Sequence, residues 1–85
     1  MKDLKFKVKN EAHSKAIQER LFKLGYEWRA HGLKPSYLDE PYVYASESGY
    51  ITYGITLEIY QKEEEVETTL DELFEETKEI VIELN

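Results

Sequence analysis

Cysteine is absent, so no disulfide or thiolate metal site supports this chain, and its hydrophobic core must hold the fold alone. Glycine occurs four times and always singly, which leaves no glycine-rich phosphate cradle, no Gly-x-Ser-x-Gly elbow and no P-loop. A nucleophile needs a base within reach, and only His13 and His31 offer one near neutral pH. They are widely separated and lack a spaced carboxylate motif, while the Asp39–Glu40 pair and the three glutamates from Glu63 resemble no calcium loop. No apolar run approaches the roughly 18 residues of a membrane span. The opening MKDLKFKVKN is basic but is not followed by an apolar stretch of signal-peptide length. These gaps lead us to expect a soluble, intracellular protein that is not an enzyme and needs no metal or cofactor.

What is present fits a small globular domain spanning residues 1–85, large enough to bury roughly 60–65% of its unfolded surface. Hydrophobic residues make up 41% and charged residues 34%, so the core is adequate and nearly every exposed position carries charge. The net charge of −7 is unevenly spread. Residues 1–34 hold nine Lys/Arg against four Asp/Glu, residues 35–57 none against three, and residues 58–85 two against eleven. One end is therefore basic and the other strongly acidic.

In LKFKVK, Leu4, Phe6 and Val8 alternate with Lys5, Lys7 and Lys9, the period of a strand with one buried and one wet face. EIVIEL near the other terminus alternates in the same way. If the two strands are neighbours, the lysines meet Glu79 and Glu83 across the ladder, each pair contributing about 0.2–1 kcal/mol. Between Asn10 and Gly25 the spacing becomes helical. Ala12, Ala16, Ile17, Leu21 and Leu24 form the apolar stripe, widened by Phe22, with Lys15, Gln18, Glu19 and Lys23 on the wet side. Asn10 or Ser14 can cap its start and Gly25 its end; His13 falls in the first turn and is expected to face solvent.

Tyr26 and Trp28 share one face of a short strand, and Trp28 is the expected core aromatic. Residues 29–41, with two prolines and a glycine, read as a loop. Strands YVYA and YITYG follow, joined by SESG with Gly49 at the position that tolerates positive φ. ITLEIY reads as a further strand, QKEEEVE as a charged connector, and TTLDELFEE as a short helix capped by Thr68 or Thr69 with Leu70, Leu73 and Phe74 on its apolar side. The order predicts an α+β two-layer sandwich: an antiparallel sheet of four or five strands with one long and one short helix on one face, for which a ferredoxin-like arrangement is a candidate.

The segments IQERLFKLGYEW, YLDEPYVYASESGYITYG and TTLDELF together resemble a pattern found in small phage-encoded proteins of unassigned function. The likeness runs over about residues 6–74: a helix ending in LF-x-LGY-x-W, a YL-x-x-PY-x-Y strand, ITYG and a threonine-capped LDEL helix. No site residue carries over from it. It implies a protein acting in the cytoplasm of a bacterial host, where similar proteins often blunt defence systems by binding a component.

Residues 37–54 spend five positions on tyrosine: Tyr37, Tyr42, Tyr44, Tyr50 and Tyr53. Tyr42 and Tyr44 share a strand face, and Tyr50 points away from Ile51 and Tyr53, so some phenols must face away from the main helix layer. They can simply cover the sheet and stabilise cross-strand pairs, or they can form a contact surface of large amphipathic area at low entropic cost. The surface reading gives a partner-binding face of those five tyrosines with the loop cations Arg29, His31 and Lys34. A host protein is its expected partner, and a homodimer through the tyrosines would bury it. A second reading is a sponge for a small nucleotide, with bases stacked on tyrosines and phosphates held by Arg29, His31 or Lys34. A third takes Asp71, Glu72, Glu75 and Glu76 as a mimic of DNA phosphates, against the ordinary account of a solvated acidic face. Direct nucleic-acid binding by that end, and membrane association, are not expected.

Overall fold

The computed structural model describes residues 2–62 and 65–73. Five strands form one mixed sheet: β1 (Leu4–Lys7), β2 (Glu27–Trp28), β3 (Tyr42–Ala45), β4 (Tyr50–Gly54) and β5 (Val66–Glu67), in the spatial order β2-β4-β3-β1-β5. The hairpin β3–β4 and the pair β1–β3 are antiparallel, whereas β2–β4 and β1–β5 are parallel. The α+β class therefore holds with a mixed rather than an antiparallel sheet. The first and last described strands are neighbours, but running parallel they depart from a ferredoxin-like order. The expected strand over residues 79–84 and its pairing lie outside the described residues.

Helix α1 (Glu11–Lys23) starts where Asn10 places its side-chain oxygen 2.8 Å from the His13 N–H, and it closes at Gly25 with φ 103°. Ile17 and Leu21 are fully buried on the face made by Leu4, Phe6, Val43, Ala45 and Ile51, with Tyr26 and Trp28 completing the core. Residues 70–73 are helical and send Leu73 into this same core, so the two expected helices do share a face. Thr69 caps that turn, its Oγ1 accepting the Glu72 N–H at 3.3 Å. Ala12, expected in the apolar stripe, is exposed because it precedes the part of α1 that meets the sheet.

Gln18, expected in water, is fully buried. Its Oε1 accepts from Trp28 Nε1 and from the Ser36 N–H, both at 2.8 Å. Its Nε2 donates to Ser14 Oγ at 3.0 Å and to the Ser36 carbonyl at 2.7 Å. All four hydrogen-bonding positions of the amide are filled. Helical periodicity could not show this, because a glutamine on the flank of an apolar stripe is as well placed to reach a tryptophan N–H as to reach water.

The opposite face of the sheet carries the second departure. Ile55–Tyr60, expected as a strand, instead leads into helix α2 (Leu57–Lys62). Thr56 caps it, accepting the Ile59 N–H on its side chain and the Tyr60 N–H on its carbonyl, and Glu58 pairs with Lys62 one turn on. So short a helix does not stand alone in water. Tyr60 anchors it, 2% exposed and stacked on Tyr42 at 4.7 Å and on Tyr44 at 6.2 Å between centroids. The α2 layer also covers Lys5, which the alternation placed in water: its Nζ donates to the Tyr60 carbonyl at 2.7 Å and sits 4.4 Å from that ring's centroid. Lys7 stays wet and pairs with Glu67 at 3.6 Å, so part of the expected charged connector is strand β5.

Gly54 closes β4 beside the end of the Tyr44 ring. A Cβ there would lie 2.6 Å from the Tyr44 hydroxyl and 2.7 Å from a ring carbon, so the absence of a side chain is a packing requirement.

Two stability outcomes follow. Gln18→Ala strands the indole N–H and the Ser36 amide in an apolar setting and should lower unfolding free energy by about 2–4 kcal/mol in urea titrations. Gly54→Ala should cost about 1–3 kcal/mol by overpacking against Tyr44, while Ser48→Ala, on the exposed turn, should stay within about 0.5 kcal/mol of the parent.

Candidate functional site

The loop from Arg29 to Pro41 is fastened along its length, ending where the Pro41 carbonyl accepts the Val8 N–H at 2.8 Å. Trp28 and Gly32 exchange both backbone hydrogen bonds at 2.9 Å, and Ser36 is gripped by Gln18 through its own N–H and carbonyl. Immediately after that grip, Tyr37 adopts φ 52°, a left-handed conformation that costs a non-glycine residue roughly 1–2 kcal/mol. The fastened loop brings its ring to 4.5 Å from Tyr53, near-parallel, and to 5.1 Å from Trp28, tilted. His31 meets the Tyr37 ring edge-on at 5.5 Å, its Nε2 lying 3.4 Å from the Tyr37 hydroxyl.

These side chains line a shallow cleft of about 250 Å³ at the β2–β4 edge, on the α1 side of the sheet. Trp28 and Ile51 form its floor as core residues, and Tyr37 and Tyr53, each 41% exposed, form its walls. Apolar surface thus stays open to solvent between these rings. Such a cleft can take one apolar or aromatic side chain of another molecule.

The expected site residues separate into two groups. Tyr37, Tyr53, His31 and Arg29 all line the cleft. Lys34 is exposed further along the same loop, its N–H bonded to the His31 carbonyl. The Arg29 guanidinium, however, lies over the Tyr50 ring at 4.2 Å, so Arg29, His31 and Lys34 do not converge on one anion position. Tyr42 and Tyr44 face the other way under α2, and Tyr44 is only 6% exposed; both stack beneath Tyr60, and neither joins the cleft. The Tyr60 phenol itself is held above its ordinary pKa by burial, and secondarily by the Glu67 carboxylate. Asp71 and Glu72 are exposed; Glu75 and Glu76 lie outside the described residues.

What periodicity missed is an apolar band on the α2 side. Ile55, Leu57 and Ile59 are each about half exposed or more. Ile55 and Ile59 border an open groove of about 620 Å³ whose base is Tyr44 and Gly54 and whose rim carries Glu40 and Glu65. The available signal was Thr56 three residues ahead of Ile59, a helix-cap spacing inside what otherwise alternates like a strand. A further hollow beside β5 is lined by Lys7, Lys9 and His13 but also by Glu67 and Asp71, mixing both signs.

Among the described residues, no group of three or more His, Asp or Glu side chains is placed to hold a metal ion, and no helix is long and apolar enough to cross a membrane. No protein-family model, curated protein or solved structure matches the chain.

His13 is half-buried instead of free in solvent, and its Nδ1 accepts the Lys9 N–H at 3.0 Å. Burial, then the charge of Lys9, lowers its pKa below the ordinary 6.5. With the folded-state pKa depressed, the unfolded chain takes up the proton first, so stability is present above pH 6.5 and falls as pH drops toward the folded value. His13→Asn keeps an acceptor without a titrating ring. Its urea midpoint should change less than the parent's between pH 7.5 and 5, a range set about the ordinary histidine value.

Proposed function

We propose that this is a non-enzymatic binding protein that attaches to a host macromolecule through the aromatic cleft of Trp28, Tyr37 and Tyr53 and the loop that frames it. The observation that carries this reading is Tyr37: a strained backbone held by the buried Gln18 latch, with the ring presented half in water against two other aromatics. A residue needed only for packing has no reason to stay 41% exposed at that conformational cost. Rigid aromatic side chains in a small cleft, beside a histidine and an arginine, are the composition of protein-binding hot spots. The resemblance to small phage proteins supports a host protein as the partner and modulation of a defence component as the role.

The nucleotide sponge is the less favoured reading. Tyr37 and Tyr53 already stack on each other and leave no slot between them for a base. Arg29 is engaged on Tyr50 instead of standing with His31 to hold a phosphate.

Affinity capture from bacterial lysate, with the retained protein identified and then rebound in purified form, tests the main reading. Tyr37→Ser/Tyr53→Ser should lose that protein by at least about tenfold, as expected for hot-spot truncation. Lys15→Ala, on the exposed side of α1, should retain it. Equal capture by the tyrosine variant would sink the cleft; a marked rise in melting temperature with one nucleotide and none with any host protein would favour the sponge.

A further inference from the structure

Of the seven tyrosines in this chain, Tyr37 and Tyr53 are the two that are exposed, and they are stacked on each other although one comes from the loop and the other from β4. We infer that this pair is a site of oxidative modification: a one-electron oxidant, such as a haem peroxidase with hydrogen peroxide, joins the two rings within one molecule as a dityrosine.

The ring centroids lie 4.5 Å apart with their planes 27° from parallel, and the Gln18 grip on Ser36 fixes the chain immediately before Tyr37. A radical formed on either ring therefore meets its partner inside the molecule, at an effective concentration that no second molecule in dilute solution can match. Both rings are 41% exposed, so an oxidant in solvent reaches them and neither is locked in the core. His31 adds a proton acceptor. Oxidation of a phenol at neutral pH needs the proton to leave with the electron, and His31 Nε2 lies 3.4 Å from the Tyr37 hydroxyl. In the tautomer that carries its proton on Nδ1, that nitrogen accepts.

Tyr37 gives one electron to the oxidant and its phenolic proton to His31, while Tyr53 gives one electron to the oxidant and its proton to water. The two phenoxyl radicals pair through ring carbons ortho to oxygen, forming one C–C bond. Each of those carbons then loses its hydrogen as a proton while the oxygen regains one, which restores both phenols. In sum two ring hydrogens leave, and one hydrogen peroxide is reduced to two waters.

The stack of Tyr42 on Tyr60 has nearly the same geometry, 4.7 Å and 25°, but Tyr60 is 2% exposed and burial holds its phenol above its ordinary pKa. Coupling needs a radical on each ring, and solvent oxidant does not reach the second one there. In a chain without cysteine, the Tyr37–Tyr53 link takes the place of a disulfide between the loop and β4, and it joins the two walls of the cleft. Closure of the cleft to a partner by oxidation rests on the binding role proposed above; the cross-link itself does not.

The test treats the full chain with a haem peroxidase and hydrogen peroxide over a range of protein concentrations. Dityrosine fluorescence should appear in the monomer at a yield independent of dilution, and cleavage after Glu40 and Glu47 should leave the Tyr37 and Tyr53 peptides joined. Tyr37→Phe and, separately, Tyr53→Phe should lower the monomer yield at least about tenfold, whereas Tyr42→Phe should leave it unchanged. These variants keep the ring stacks, and equal melting temperatures confirm that a lower yield reports lost coupling and not lost folding. His31→Phe keeps an edge-on ring but removes the proton acceptor, and should slow formation of the same product several-fold.

Dityrosine confined to dimers, a yield that falls with dilution, or a monomer yield that neither Tyr37→Phe nor Tyr53→Phe lowers would overturn the proposal. An unchanged rate in His31→Phe would remove the histidine from it. If the purified cross-linked monomer still captures the host protein that the parent captures, closure of the cleft falls and the cross-link stands. If no dityrosine forms while Tyr37→Ser/Tyr53→Ser loses that host protein, the cross-link falls and the binding reading stands.

Discussion

The buried amide of Gln18 is the contact on which the arrangement of this molecule turns. Through one side chain it joins three parts of the molecule: helix α1, which carries it; strand β2, through the Trp28 indole; and the loop, through both polar groups of Ser36. Apolar packing alone would hold α1 on the sheet at many rotations of nearly equal energy, because hydrophobic burial is not directional. Four hydrogen bonds of fixed geometry on one fully buried side chain select one rotation and, with it, one path for the loop. Since each unmade bond would leave a desolvated polar group, the alternatives are disfavoured more strongly than the bonds themselves are favourable.

From that point the site follows by short steps. The chain leaves Ser36 in a fixed direction, Tyr37 must take a left-handed backbone to continue, and its ring lands on Tyr53 and Trp28. Preorganisation of this kind lowers the entropic cost of binding, because aromatic side chains held before the partner arrives lose little freedom when it does. The other face is organised differently. There a stack of Tyr42, Tyr44 and Tyr60, with the Lys5 ammonium against the Tyr60 ring, fastens a six-residue helix and leaves its remaining apolar residues outward. The tyrosines of one short sequence thus serve two ends: Tyr42 and Tyr44 build a layer, and Tyr37 and Tyr53 present a surface.

Alternation in LKFKVK, YVYA and YITYG, the helical stripe of Ile17 and Leu21, the asparagine cap and the two turn glycines all spoke for themselves in the sequence. Each depends on neighbours within a few positions along the chain. The α+β class followed from their order, and alternation along β4 already set Tyr50 on the face opposite Ile51 and Tyr53. What the sequence could not decide was where three ambiguous side chains went. Gln18 had water or Trp28, Lys5 had water or the Tyr60 carbonyl, and Ile55 to Tyr60 had strand or helix. In each case the outcome was set by a partner ten or more residues away, or, for α2, by Tyr60 finding Tyr42 and Tyr44 beneath it. Local pattern fixes which face a residue takes within its own element; only the folded chain determines what that face meets, because burial and hydrogen bonding are properties of the pair and not of either member.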